Sequence, residues 1–171
     1  MKRRLNTNKP KPHDPHELYL DEDVSGPAFA SLLRQARMTV HQYEKLLPRN
    51  KKIPDAIVIK ATSEARFVLI TGDKRMESVW TEDIVAHSAK VILLTDEHGG
   101  PIHWASALIA GEDSWRRALL DHLKDPIVIK INRKGTIIKF VGPEELRIHC
   151  DHLMTARIVR AKKLGNIVNL S

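Results

Sequence analysis

Cysteine is almost absent from this chain of 171 residues: Cys150 stands alone. A single thiol excludes an intrachain disulfide and predicts a reducing compartment, read as the cytoplasm. Long apolar runs are missing as well. None approaches the roughly 20 residues that a transmembrane helix needs, so no membrane partner is expected. The basic start Met1-Lys2-Arg3-Arg4 has no apolar segment behind it, which argues against a secretory signal. No glycine-rich phosphate loop, Ser-His-Asp order or heptad repeat occurs, and no internal repeat is visible.

What is present suits one soluble globular domain with a sizeable core. Hydrophobic residues make up 42% and charged residues 29%, too apolar for a disordered chain. The formal net charge of +7 points to a polyanionic partner, nucleic acid before an anionic membrane surface. Residues 1–16 are basic and proline-bearing and read as a flexible arm. Residues 17–141 read as an α/β domain, and 142–171 as a C-terminal helix and tail.

Apolar runs alternate with helical patterns. Leu18 to Leu20 is a buried strand, and Gly26-Pro27 opens a helix with Phe29, Leu32, Leu33 and Ala36 on one stripe. Met38 to Tyr43 is a second strand and Lys45 to Lys52 a basic loop. Pro54 opens a helix whose stripe is Ile57, Ala61 and Ala65. Phe67 to Ile70 and Val91 to Leu94 are further strands, with a short helix capped by Thr81 between them. Residues Ile102 to Leu123 are helical with a break at Gly111, and Ile127 to Ile131 turns through Arg133-Lys134-Gly135 into Thr136 to Val141. The last helix starts at Pro143, stops at Gly165, and carries an apolar stripe of Leu146, Cys150, Leu153, Met154, Ile158 and Ala161. This alternation predicts a three-layer α/β/α sandwich with a mainly parallel sheet, whose strands end at one common edge.

Carboxylates gather at those strand ends. Asp21-Glu22-Asp23 follows the first strand, Thr71-Gly72-Asp73 the third, and Asp96 the fourth. Asp55 opens the helix before the third strand; as a plain helix carboxylate it suits the dipole there. Three or four carboxylates without Cys or His suit a hard cation, Mg²⁺ or Mn²⁺. Thr71 could orient a water or a ligating carboxylate, or simply cap its turn.

On these residues the span Leu18 to Leu94 resembles the PIN-like domain, the metal-dependent ribonuclease fold of VapC-type toxins. The resemblance rests on the first strand ending in Asp21, on Pro54-Asp55-Ala56-Ile57-Val58-Ile59-Lys60-Ala61, and on Leu69-Ile70-Thr71-Gly72-Asp73-Lys74-Arg75-Met76. It implies Asp21, Asp55 and Asp73 as Mg²⁺ or Mn²⁺ ligands and Thr71 as the hydroxyl of the turn. It further implies RNA as substrate, an antitoxin protein as partner, and a homodimer. The family usually has one more acid on a helix between the first two aspartates. That insertion is missing, as in a compact branch of the group; Asp23, Glu22 or Glu44 could take its place.

Other readings compete. A PIN-like module that binds RNA or protein without cleaving it fits the missing acid. Asp21-Glu22-Asp23-Val24 also resembles the opening of haloacid-dehalogenase-type phosphatases, although their lysine and later acidic pair find no match. A receiver-type site would use Asp21, Glu22, Asp73, Thr95 and Lys130. His149 and His152 have a spacing that zinc can use, but no second ligand pair accompanies them. Trp80, Trp104 and Trp115 read as packing residues rather than base-stacking ones.

Overall fold

A computed structural model of the chain describes residues 16–42, 53–95 and 100–168, the side chains of 158 and 161–168 excepted. Strand β1 (Leu18–Leu20) leads through α1 (Pro27–Gln35) to β2 (Val40–Gln42). Helix α2 (Asp55–Glu64) leads to β3 (Val68–Thr71), and α3 (Met76–Val79) and α4 (Thr81–Ala86) lead to β4 (Lys90–Leu94). Helices α5 (Pro101–Ala110) and α6 (Glu112–Asp121) precede β5 (Ile127–Ile131), β6 (Ile137–Val141) and α7 (Pro143–Val168).

The six strands form one sheet in the order β2-β1-β3-β4-β5-β6. The first five are parallel, and β6 returns antiparallel beside β5. Parallel neighbours need crossovers, and the crossover helices cover both faces. Side-chain alternation decides which residue meets which layer. Leu18, Leu20, Val68, Ile70, Ile92 and Ile129 face Phe29 and Leu33 of α1, Leu108 of α5 and Trp115 of α6. Tyr19, Leu69, Val91 and Val128 face the other way, onto Ile59 of α2, Ile84 of α4 and Leu146 of α7. This is the expected three-layer α/β sandwich. Among the described residues no helix is long and apolar enough to cross a membrane.

Three helices end alike. Arg37, Arg66 and Ser88 take left-handed backbone at φ 67°, 61° and 52°. The next residue's N–H then reaches back into the helix: Met38 to Leu33 O at 3.1 Å, Phe67 to Thr62 O at 2.8 Å, and Ala89 to Ile84 O at 2.9 Å. This tight stop satisfies late helix carbonyls and turns the chain straight into the next strand. Glycine is the usual residue there, and none of the three is glycine.

The breaks read at Gly111 and Gly135 are two sides of one contact. Gly135 has φ 79°, and a Cβ on it would lie 2.6 Å from Ala107 O; a Cβ on Gly111 would lie 2.3 Å from Gly135 O. Backbone meets backbone, and no side chain fits between.

Several local expectations are corrected. In α2 the buried residues are Val58, Ile59 and Thr62, whereas Ile57 is 55% exposed, because the helix sits rotated from the Ile57-Ala61-Ala65 stripe. That stripe instead walls an open groove beside Tyr19 and Phe67. Thr81 is the first residue of α4 rather than its cap; its hydroxyl donates back to Glu77 O. Helix α7 runs through Gly165 to Val168. Its N-terminal part packs through buried Leu146, while Cys150 is half-buried and Met154 is 47% exposed. The second strand starts at Val40 rather than Met38, and Tyr43 lies outside the described residues. The basic loop at 45–52 lies outside the described residues, as does the arm except for His16, which is buried.

Candidate active site at the carboxyl edge of the sheet

The sheet order reverses at β1. From β1 the chain goes out to β2 on one side, then returns to β3 on the other. In open α/β sheets the ligand crevice lies at the carboxyl ends of the strands flanking such a reversal. Asp21 and Thr71 stand at those two ends.

Asp21 extends β1 by one residue, its N–H donating to Ile70 O at 3.0 Å. Asp21 is 8% exposed, and its carboxylate accepts from the Glu22 N–H at 2.9 Å and from Thr71 Oγ1 at 3.0 Å. Asp23 reaches the same hydroxyl, Oδ1 lying 3.5 Å from Thr71 Oγ1, and accepts from the Gly72 N–H at 2.8 Å. Thr71, fully buried, in turn accepts from the Asp73 N–H at 3.1 Å. Thr71 is thus the hub that ties Asp21 and Asp23 to the turn carrying Asp73. Gly72 makes room for it: a Cβ there would lie 2.9 Å from Asp23 Oδ2.

The electrostatics are those of a crowded acidic site. Burial pushes the Asp21 carboxyl up; its hydrogen bonds oppose this, and repulsion from Asp55 and Glu22 adds to it. Asp23 is pushed up to about 6 by desolvation of its carboxyl and then by the Asp21 charge. Asp73 behaves differently. Arg75 clamps it with Nε at 3.1 Å and an Nη at 3.0 Å, and holds it below the usual carboxylate range. Asp55 opens α2 close enough to be felt by both Asp21 and Arg75.

The structure therefore joins Asp21, Asp23 and Thr71 by direct hydrogen bonds. Asp73 is joined through its backbone, and Asp55 through its charge. Among the described residues no three Asp, Glu, His or Cys side chains stand close enough together to hold a metal ion. Asp96 and Glu44 lie outside the described residues. Asp21 and Asp23 are oxygen donors of the kind a hard cation takes, tied to one hydroxyl but without a third close ligand among the described residues. The receiver-type set is not assembled: Lys130 pairs with Glu77, and Thr95 Oγ1 donates to Ile131 O at 3.1 Å. His149 and His152 are both exposed on α7.

Sequence reasoning missed Gly72 and Arg75. Both lie inside the Thr71-Gly72-Asp73-Lys74-Arg75 turn, and only the fold shows Gly72 facing Asp23 across 49 residues. No family model, curated protein or solved structure matches this chain.

Proposed function

We propose that this edge is the centre of a metal-dependent endoribonuclease of PIN-like type, cytoplasmic, and the toxin of a toxin–antitoxin pair. The observation that carries the reading is the placement of Asp21 and Thr71 at the sheet's switch point, with Asp23 tied to the same hydroxyl. Asp21, Asp23, Asp55 and Asp73 are the residues that would hold Mg²⁺ or Mn²⁺. Such an ion supplies charge neutralisation at a phosphate and a more acidic bound water. Thr71 fixes the orientation of the carboxylates, and the Gly72 N–H holds Asp23 in place. Arg75 must release Asp73 before that carboxylate can act, and its guanidinium is then available to an RNA phosphate. The +7 charge favours a polyanion such as RNA over a neutral or basic partner. An antitoxin and a homodimer follow from the same resemblance, with exposed Ile148, Met154 and Val159 of α7 as the candidate surface.

The Asp73–Arg75 pair also favours a second reading, a PIN-like module that binds RNA or protein without cutting it. Calorimetric Mn²⁺ titration separates the two. The nuclease reading expects wild type to bind Mn²⁺ and Asp21→Asn to bind at least about tenfold more weakly. A wild type without affinity for Mn²⁺ or Mg²⁺ would leave only the binding module.

A further inference from the structure

The opposite edge of the sheet holds a second depression. It lies at the amino ends of β3 and β4, a four-residue strand away from Thr71, or roughly 13 Å. Its volume is about 650 Å³. That is far more than a bare ion needs and falls within the range of about 300–1,000 Å³ typical of small-molecule sites.

The polar lining is cationic: Arg66, Lys90 and Lys124, with His16 and His87 beside them. Among the described residues no carboxylate lines it. Of the nearby acids, Glu64 lies 3.9 Å from Lys60, and Asp125, 3.9 Å from His122, also acts on Lys90 through its charge. Phe67 and Leu123 add an apolar wall.

Helices α2, α4 and α6 all end at this edge, and cations there could simply balance helix C-termini. Lys90 is taken up by the loops beyond two of these helices: its Nζ donates to Ser88 O at 3.1 Å and to Asp125 O at 2.5 Å. Among the described residues neither the Arg66 nor the Lys124 side chain has a hydrogen-bond or ion-pair partner. Arg66 also stands in left-handed backbone at φ 61°, where glycine would be unstrained. Both cations are exposed at the mouth of the crevice.

We propose that this crevice binds a phosphate ester. Arg66 and Lys124 neutralise the phosphate, Lys90 sets the field behind them, and the Phe67–Leu123 wall takes the sugar or base. The proposal stands on the cationic crevice alone and does not need the acidic edge to be a nuclease centre.

The test uses the full chain in EDTA, so that divalent metal plays no part. One probe is a labelled twelve-nucleotide single-stranded RNA followed by fluorescence anisotropy. The other is uridine 5′-monophosphate, measured directly by equilibrium dialysis and as a competitor of the RNA. The double variant Arg66→Gly, Lys124→Ala should weaken RNA binding about tenfold and flatten its salt dependence by about 1.4 in log–log slope. Arg147→Ala removes one exposed charge outside the crevice and should change binding less than about twofold. Arg66→Gly relieves its backbone, so its melting temperature should equal or exceed the wild type's, and lost binding is then not lost folding. Displacement of RNA by the nucleotide identifies a free-nucleotide pocket; RNA binding that the nucleotide leaves alone but the variant weakens identifies a backbone site. The proposal is overturned if wild type binds neither probe, or if the crevice variant loses no more affinity than Arg147→Ala.

Discussion

Replacing Thr71 by valine removes one hydroxyl and keeps the side-chain volume, so it isolates the hub of the acidic edge. Thr71 is fully buried and donates to the Asp21 carboxylate at 3.0 Å. A hydrogen bond to a charged partner contributes about 1.5–3 kcal/mol. The same oxygen accepts from the Asp73 N–H at 3.1 Å, and leaving that donor unpaired costs about 1 kcal/mol more. The new methyl recovers roughly 0.8 kcal/mol of burial. The expected net loss is about 2–3 kcal/mol, or about 4–12 °C in melting temperature for a domain of this size. Urea unfolding at pH 7 in EDTA measures it, with the midpoint falling and the slope unchanged. The cycle with Asp21→Asn sharpens the test. That variant alone should be nearly neutral or stabilising, since the Asp21 carboxylate is desolvated and repelled by Asp55 and Glu22. The two changes should couple by about 1–2 kcal/mol. A Thr71→Val loss under about 0.5 kcal/mol, or strict additivity, would refute the hub.

Three further outcomes follow from the same contacts. Gly72→Ala pushes against the mobile end of Asp23, 2.9 Å from the added Cβ; stability should change by less than about 1 kcal/mol while calorimetry shows about tenfold weaker Mn²⁺ binding. Glu77→Gln leaves half-buried Lys130 unpaired and should cost about 2 kcal/mol at pH 7 by urea titration. Desolvation alone would raise the Glu77 pKa, but Lys130 and Lys139 outweigh it and hold it below the usual carboxylate range; the ion pairs therefore stabilise the fold above that range, and the gap to the variant should close as pH falls through the lowered pKa. Gly135→Ala drives a Cβ into Ala107 O from a left-handed residue and should cost at least about 2 kcal/mol in thermal melts, because neither backbone can give way.

The sequence carried the sheet well because its strands are short apolar runs closed by charged turns. Leu18 to Leu20 reads as a strand with its observed bounds and Phe67 to Ile70 reads one residue ahead of the observed Val68–Thr71, and their common carboxyl edge followed from handedness alone. The facing of α2 did not follow. Ile57, Val58 and Ile59 are consecutive and equally apolar, so periodicity could not say which of them would meet the sheet. Gly165 failed as a stop because α7 passes through it without an αL turn, whereas the true left-handed stops carry Arg37, Arg66 and Ser88, which give no sequence signal. At the site, Asp21 and Asp73 were legible as strand ends. The Asp23 contact with Gly72 was not, because it spans 49 residues and depends on two turns lying side by side. The clamp of Arg75 on Asp73 is local in sequence, but a two-residue spacing alone does not distinguish it from a solvated pair.

The most direct test of the acidic edge is cleavage of a labelled single-stranded RNA by the purified chain. It is run with Mn²⁺, with Mg²⁺ and with EDTA, beside Asp21→Asn and Asp73→Asn. The nuclease reading predicts cleavage that requires the metal, stops in EDTA, resumes when Mn²⁺ is restored, and is lost in both variants while their melting temperatures hold. Metal-independent cleavage, or cleavage undiminished in Asp21→Asn, would contradict it.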